Sequence, residues 1–167
     1  YEDPIAPDSV MSMGSVGDKI NLPLAAGERN NTLWEFREYC TLPGMSFLKP
    51  DIGLAGGFTH VKKIAALAEG FHIKMAPHHF LGPITTMALV HIATATPNWD
   101  VNEFNVETGT FKEDIVSAVT AMKDGYFIPP EAPGLGIDIN VEEMLKYPYE
   151  GGTGESSRKP DGGLVLG

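Results

Sequence analysis

Five short apolar runs in this chain each stop at an ionisable residue, and they do so at nearly constant spacing. The residues are Glu2, Glu28, Asp51, His78 and Glu103, separated by 26, 23, 27 and 25 positions. A strand of about five residues, a helix of about 11 and two short loops make a unit of roughly that length. The repeat therefore reads as successive βα units. In a (β/α)8 barrel every strand ends on the same face, and the active site lies there. Polar groups recurring once per unit would converge on one site. The central stretch is Lys74-Met75-Ala76-Pro77-His78-His79, a strand ending in paired histidines before Leu81-Gly82-Pro83 opens a new helical pattern.

The expected fold is the C-terminal part of a (β/α)8 TIM-type barrel, strands 4 to 8, over residues 1–104. The 167 residues suffice for one sizeable core but fall short of the about 250 of a typical complete barrel. Tyr1-Glu2-Asp3 reads as the end of a strand that starts upstream, so a fragment is expected. Helices are expected at 6–16, with Asp8-Ser9 as a cap, at 33–42 behind Asn31-Thr32, from Thr59 to a C-terminal Gly70, and at 83–95 with proline first. On the last, Ile84, Met87, Ala88, Ile92 and Ala95 form the expected buried stripe, with His91 packed beside it. Residues 105–150 lose the period. There Ile115, Val116, Val119 and Met122 suggest a short helix or packed coil, and 141–147 a short helix. The Gly- and Ser-rich stretch 151–167 is expected to be a flexible tail.

Composition narrows the function. A net charge of −10 argues against nucleic acid and anionic membrane as partners. No apolar run is long enough to span a bilayer, and no signal peptide is visible. The single cysteine, Cys40, excludes an internal disulfide and suits a reducing, cytoplasmic compartment. A small-molecule carboxylate as partner and a homo-oligomer are expected.

Glu2 and Glu28, at adjacent strand ends, can chelate a hard cation such as Mg²⁺, or else form salt bridges to lysine or arginine. Asp3 is the rival of Glu2, but by alternation it should point the opposite way and pair elsewhere. Asp51 and His78 occupy neighbouring strand ends. A carboxylate on one imidazole nitrogen fixes the tautomer and frees the other nitrogen for proton transfer. His79 points away by alternation and is the lesser candidate for base; it is assigned to substrate binding, as is Arg29 beside Glu28, which could equally pair with Glu2 or Asp51. Glu103 can donate a hydrogen bond if protonated, or orient substrate, and clustered anions would raise its pKa. Together these groups suit proton abstraction beside a carboxylate, where the enolate needs a metal and donors to stabilise it.

The stretches YEDP at 1–4, LAAGE at 24–28, FLKPDIGLAGGFTHVKKIAALAE at 47–69, MAPHHFLGP at 75–83 and ATATPNWDVNEF at 93–104 resemble the C-terminal half of an enolase-superfamily enzyme. The type is that of mandelate racemase and muconate lactonizing enzyme, most similar to acid-sugar dehydratases of the galactonate kind. DGYFIPPEAPGLGIDIN at 124–140 resembles the segment by which such chains return to an N-terminal capping domain. That superfamily pairs a lysine or histidine base with Mg²⁺. The resemblance implies Glu2 and Glu28 as Mg²⁺ ligands, Asp51 and His78 as the acid–base dyad, and Glu103 as the group that stabilises the enolate. It implies dehydration of an acid sugar. The alternatives are a racemase, epimerase or cycloisomerase of the same superfamily, and a non-catalytic half-barrel that only associates.

Overall fold

The apolar runs form strands in the computed structural model, which describes residues 1–6 and 9–150. Strands β1 (Leu24–Ala26), β2 (Met45–Leu48) and β3 (Lys74–Met75) lie side by side in chain order, all parallel. Parallel bridges extend the array at both edges, from Glu2 to Ala25 and from Met75 to Trp99. Five chain segments thus follow one another across the sheet with no reversal of order. That is the winding of a (β/α)8 barrel; a doubly wound sheet reverses its strand order at a switch point.

A helix fills each crossover. These are α1 (Val10–Gly17), α2 (Leu33–Cys40), α3 (Gly57–Glu69) and α4 (Pro83–Thr94), and each packs on the next. The core lies between them and the strands. Leu24, Ala26, Leu48 and Met75 from the strands are fully buried, as are Phe36 and Tyr39 of α2 and Val61, Ile64 and Ala68 of α3. Apolar residues at positions 61, 64, 65 and 68 form one stripe at helical spacing, so burial against the strands is what holds α3. The Cys40 thiol is buried in this layer, which pushes its pKa up to about 11.

The start of α2 is fixed locally. Thr32 accepts a hydrogen bond from the Glu35 amide, and the Glu35 carboxylate accepts from the Thr32 amide at 2.9 Å, a reciprocal capping box. Ser9 caps α1 in extended backbone without a side-chain bond, and Asp8 lies outside the described residues. Gly70 ends α3 as expected, but without a left-handed backbone. Its φ is −62°, and the positive φ falls at His72 (58°), because a further turn bonds Phe71 to Ala68 and His72 to Glu69 before β3.

The buried stripe of α4 also differs from expectation. Ile84 is 39% exposed and Ala95 is exposed, whereas Thr86, Leu89 and Val90 are buried beside Met87, Ala88 and Ile92. The helix is covered on a second side by the chain beyond residue 104. His91 Nε2 meets the Leu135 carbonyl at 3.1 Å, so it is a packing residue as expected. In that later segment the short helix is α5 (Phe111–Asp114), capped by Thr110, and Met122 instead enters a hairpin. The hairpin pairs β4 (Met122–Lys123) with β5 (Tyr126–Phe127) through Asp124 and Gly125, both at positive φ. An Asp-Gly pair is the residue choice such a two-residue turn demands. Helix α6 (Val141–Met144) follows. The expected tail, 151–167, lies outside the described residues. Among those described, no helix is long and apolar enough to cross a membrane.

Candidate active site

Glu28, Asp51, His78 and Glu103 lie beyond the C-terminal ends of their strand segments, and Glu2 is itself the residue bridged to Ala25 of β1. Gly27 carries the chain from β1 to Glu28 at φ +123°, and a Cβ there would come within 2.6 Å of the Phe36 ring. Only glycine makes that turn against α2.

Asp51 is 2% exposed and held from two directions. Its Oδ1 accepts the Gly53 amide at 2.7 Å, and its Oδ2 lies 2.9 Å from His78 Nδ1. A carboxylate accepts only, so His78 donates from Nδ1, and the neutral imidazole then has its lone pair on Nε2. That atom faces Glu28, with Nε2 to Oε2 at 4.0 Å. Arg29 reaches the other oxygen of Glu28 at 3.8 Å and is largely exposed.

Glu2 and Glu103 are joined by a residue the sequence reading passed over. Lys49, 5% exposed, places its Nζ 2.8 Å from Glu2 Oε1 and in contact with Glu103 Oε1. Burial alone would lower the pKa of the Lys49 ammonium, but the Glu103 and Glu2 carboxylates outweigh it and hold it above its ordinary value.

Glu103 departs from expectation for the same reason. Burial works to raise its pKa, yet Lys49 and the His79 amide hold the carboxyl below the usual range. It is an ionised acceptor here. A cation, absent from the reasoning on clustered anions, decides the sign.

His79 also differs from its assignment. The residue is 3% exposed and its ring is bonded to Thr86 Oγ1 at 2.7 Å, so the ring is turned into the protein. The residue meets the cluster directly through its backbone N–H, which donates to Glu103 Oε2 at 2.8 Å. Burial lowers the pKa of its imidazole.

Asp3, expected to pair elsewhere, turns one oxygen into the protein. Its Oδ1 is buried without a hydrogen-bond partner among the described residues. Burial, then the charges of Glu28 and Glu2, raise its pKa. Glu2, Asp3 and Glu28 thus form an acidic group carrying oxygen donors only, which suit a hard divalent cation and not a soft one. Among the described residues, no three acidic, histidine or cysteine side chains converge closely enough to hold an ion unaided. A cation held by Glu2 and Glu28 would complete its shell with water or substrate oxygens.

A parallel βα array with a carboxylate–imidazole dyad and acidic residues at its strand ends is the C-terminal part of a (β/α)8 barrel. The chain belongs to the Enolase C-terminal domain-like family, whose model matches residues 1–144. It is 36% identical over 151 residues to a D-galactonate dehydratase of Ralstonia nicotianae, covering 87% of this chain and 40% of that protein. Among solved structures, the mandelate racemase/muconate lactonizing enzyme of Jannaschia sp. CCS1 superposes with TM-score 0.85 at 36% identity, over 91% of this chain and 39% of that one. An enolase of Agrobacterium radiobacter, solved with Na and L-malate bound, gives TM-score 0.89 at 27% identity and covers 100% of this chain and 46% of its own. The chain therefore spans about 40% of the length of the curated relatives it matches.

Proposed function

We propose that the intact protein removes the proton α to the carboxylate of an acid sugar and expels the β-hydroxyl as water. The observation that carries this reading is the dyad. Asp51, fixed by the Gly53 amide, holds His78 so that Nε2 is free and faces the acidic group. Similarity to proteins named D-galactonate dehydratase supports the substrate class.

Nε2 of His78 is the atom at which the proton moves. It accepts the α-proton as the C–H bond breaks, and the imidazolium so formed is stabilised by Asp51. The same nitrogen can return a proton to the departing hydroxyl, so that water leaves and a carbon–carbon double bond remains. Glu2 and Glu28 would hold Mg²⁺, which supplies Lewis-acid stabilisation of the negative charge that develops on the substrate carboxylate. Lys49 adds a second positive centre beside them. Glu103, ionised, keeps Lys49 in place, a different role from the proton donation its position suggested. Arg29, more exposed, would meet substrate at the rim.

The test is a panel of acid sugars, D-galactonate among them, incubated with the intact gene product and Mg²⁺. Formation of a 2-keto-3-deoxy acid from at least one member is expected. Recovery of all substrates unchanged, or of an epimer with its hydroxyl retained, would overturn the reading.

A further inference from the structure

Behind the cluster runs a buried chain of polar groups that the proposed chemistry does not use. The His79 ring lies 2.7 Å from Thr86 Oγ1, and Thr86 Oγ1 lies 2.5 Å from Glu107 Oε1. Thr86 and Glu107 are each 1% exposed. A hydroxyl has one proton. With Glu107 ionised, the hydroxyl proton goes to that short contact and not to the Gly82 carbonyl, farther off at 3.3 Å, and the hydroxyl accepts from His79. That fixes His79 as the Nε2–H tautomer, directed opposite to His78.

Such a trio is a costly way to fill space. His79 Nδ1 and Glu107 Oε2 are both buried without a hydrogen-bond partner among the described residues. An apolar trio would carry no such desolvation penalty. What the polar trio provides is direction. It ties the residue after His78 to the first turn of α4 and to the segment beyond residue 104. The peptide joining His78 to His79 carries the N–H that holds Glu103 Oε2 at 2.8 Å.

We propose that Thr86 and Glu107 are positioning residues: by clamping the His79 ring they set the His78–His79 peptide, and with it both the dyad imidazole and Glu103. The proposal rests on the roles given to His78 and Glu103 above. Neither Thr86 nor Glu107 touches substrate.

The experiment compares Thr86→Val, which keeps shape without the hydroxyl, with Thr86→Ser, which keeps the hydroxyl. The intact gene product is used, with kinetics on the acid sugar it turns over and nitrogen-detected NMR of the histidine rings. Thr86→Val is expected to lower kcat roughly 10- to 100-fold with KM little changed, as small misplacements of reacting groups do. Thr86→Ser restores kcat, and Mg²⁺ affinity by calorimetry is the same in all three proteins. In the spectra His79 loses its single tautomer and the His78 signals shift in Thr86→Val alone. An unchanged kcat in Thr86→Val despite a changed His79 tautomer would overturn the proposal. So would a loss that serine fails to rescue. If the wild-type protein turns over no acid sugar, the reading of the reaction fails separately. The clamp is then judged on the His78 signals, and their insensitivity to Thr86→Val overturns it.

Discussion

Lys49 decides the electrostatics of the cluster. Without its cation, Glu2 and Glu103 would face each other across a partly buried space, and Glu103 would tend toward its neutral form. In Lys49→Met, turnover should fall at least roughly 100-fold, the scale of one lost electrostatic stabiliser. The cost in stability should stay below the ~3–5 kcal/mol of a fully buried broken pair, because Glu2 and Glu103 keep contact with solvent. Steady-state kinetics and denaturant melts read the two effects apart. Glu107 gives the pH prediction. Burial raises its carboxyl pKa above the ordinary value. The folded state then binds more protons than the unfolded one between the two pKa values, so stability falls as pH rises through that window, from about 4.3 upward. Glu107→Gln cannot ionise. Its melting temperature relative to wild type should therefore climb as pH is raised from 4 to 7, and a constant difference would refute the assigned environment. The dyad and acidic residues were legible in sequence because each ends an apolar run. Lys49, Thr86 and Glu107 were not, because their partners lie 54, 7 and 21 positions away and only the fold brings them together.

At the scale of elements, α3 is the most strongly specified. Its stripe and its burial agree, since Val61, Ile64 and Ala68 are all fully buried. Ile64→Ala should destabilise the protein by about 2–5 kcal/mol through lost burial and the cavity left behind. Chemical denaturation measures it, and a change under about 1 kcal/mol would place Ile64 outside the core. The start of α2 was readable for a local reason, the reciprocal bonds of Thr32 and Glu35. The stripe of α4 was misplaced for a tertiary one. Its period suits a helix with one covered face, but the segment beyond residue 104 covers another. The β4–β5 hairpin was missed because its strands are two residues each, too short for alternation to show, although Asp124-Gly125 marks the turn.

The whole molecule depends on one geometric fact: parallel segments in unbroken chain order bring residues about 25 positions apart to one face. The period in the sequence was enough to infer that winding. It could not supply the ion pairs of Lys49 or the orientation of the His79 ring. The acidic side of that face is testable without any substrate. Glu28→Ala in the intact protein should abolish the Mg²⁺-induced rise in melting temperature and the calorimetric binding signal. Retention of wild-type affinity would remove Glu28 from the metal site.

The central claim is that His78 moves the α-proton. The most direct measurement incubates the intact protein, wild type and His78→Asn, with a turned-over acid sugar and Mg²⁺ in D₂O, and follows both product and α-hydrogen by NMR. Wild type should consume the α-hydrogen as product forms, and His78→Asn should fall by roughly 10²–10⁴-fold in both with its fold intact. Wild-type rates in His78→Asn would contradict the assignment and return the search for the base to the rest of the barrel face.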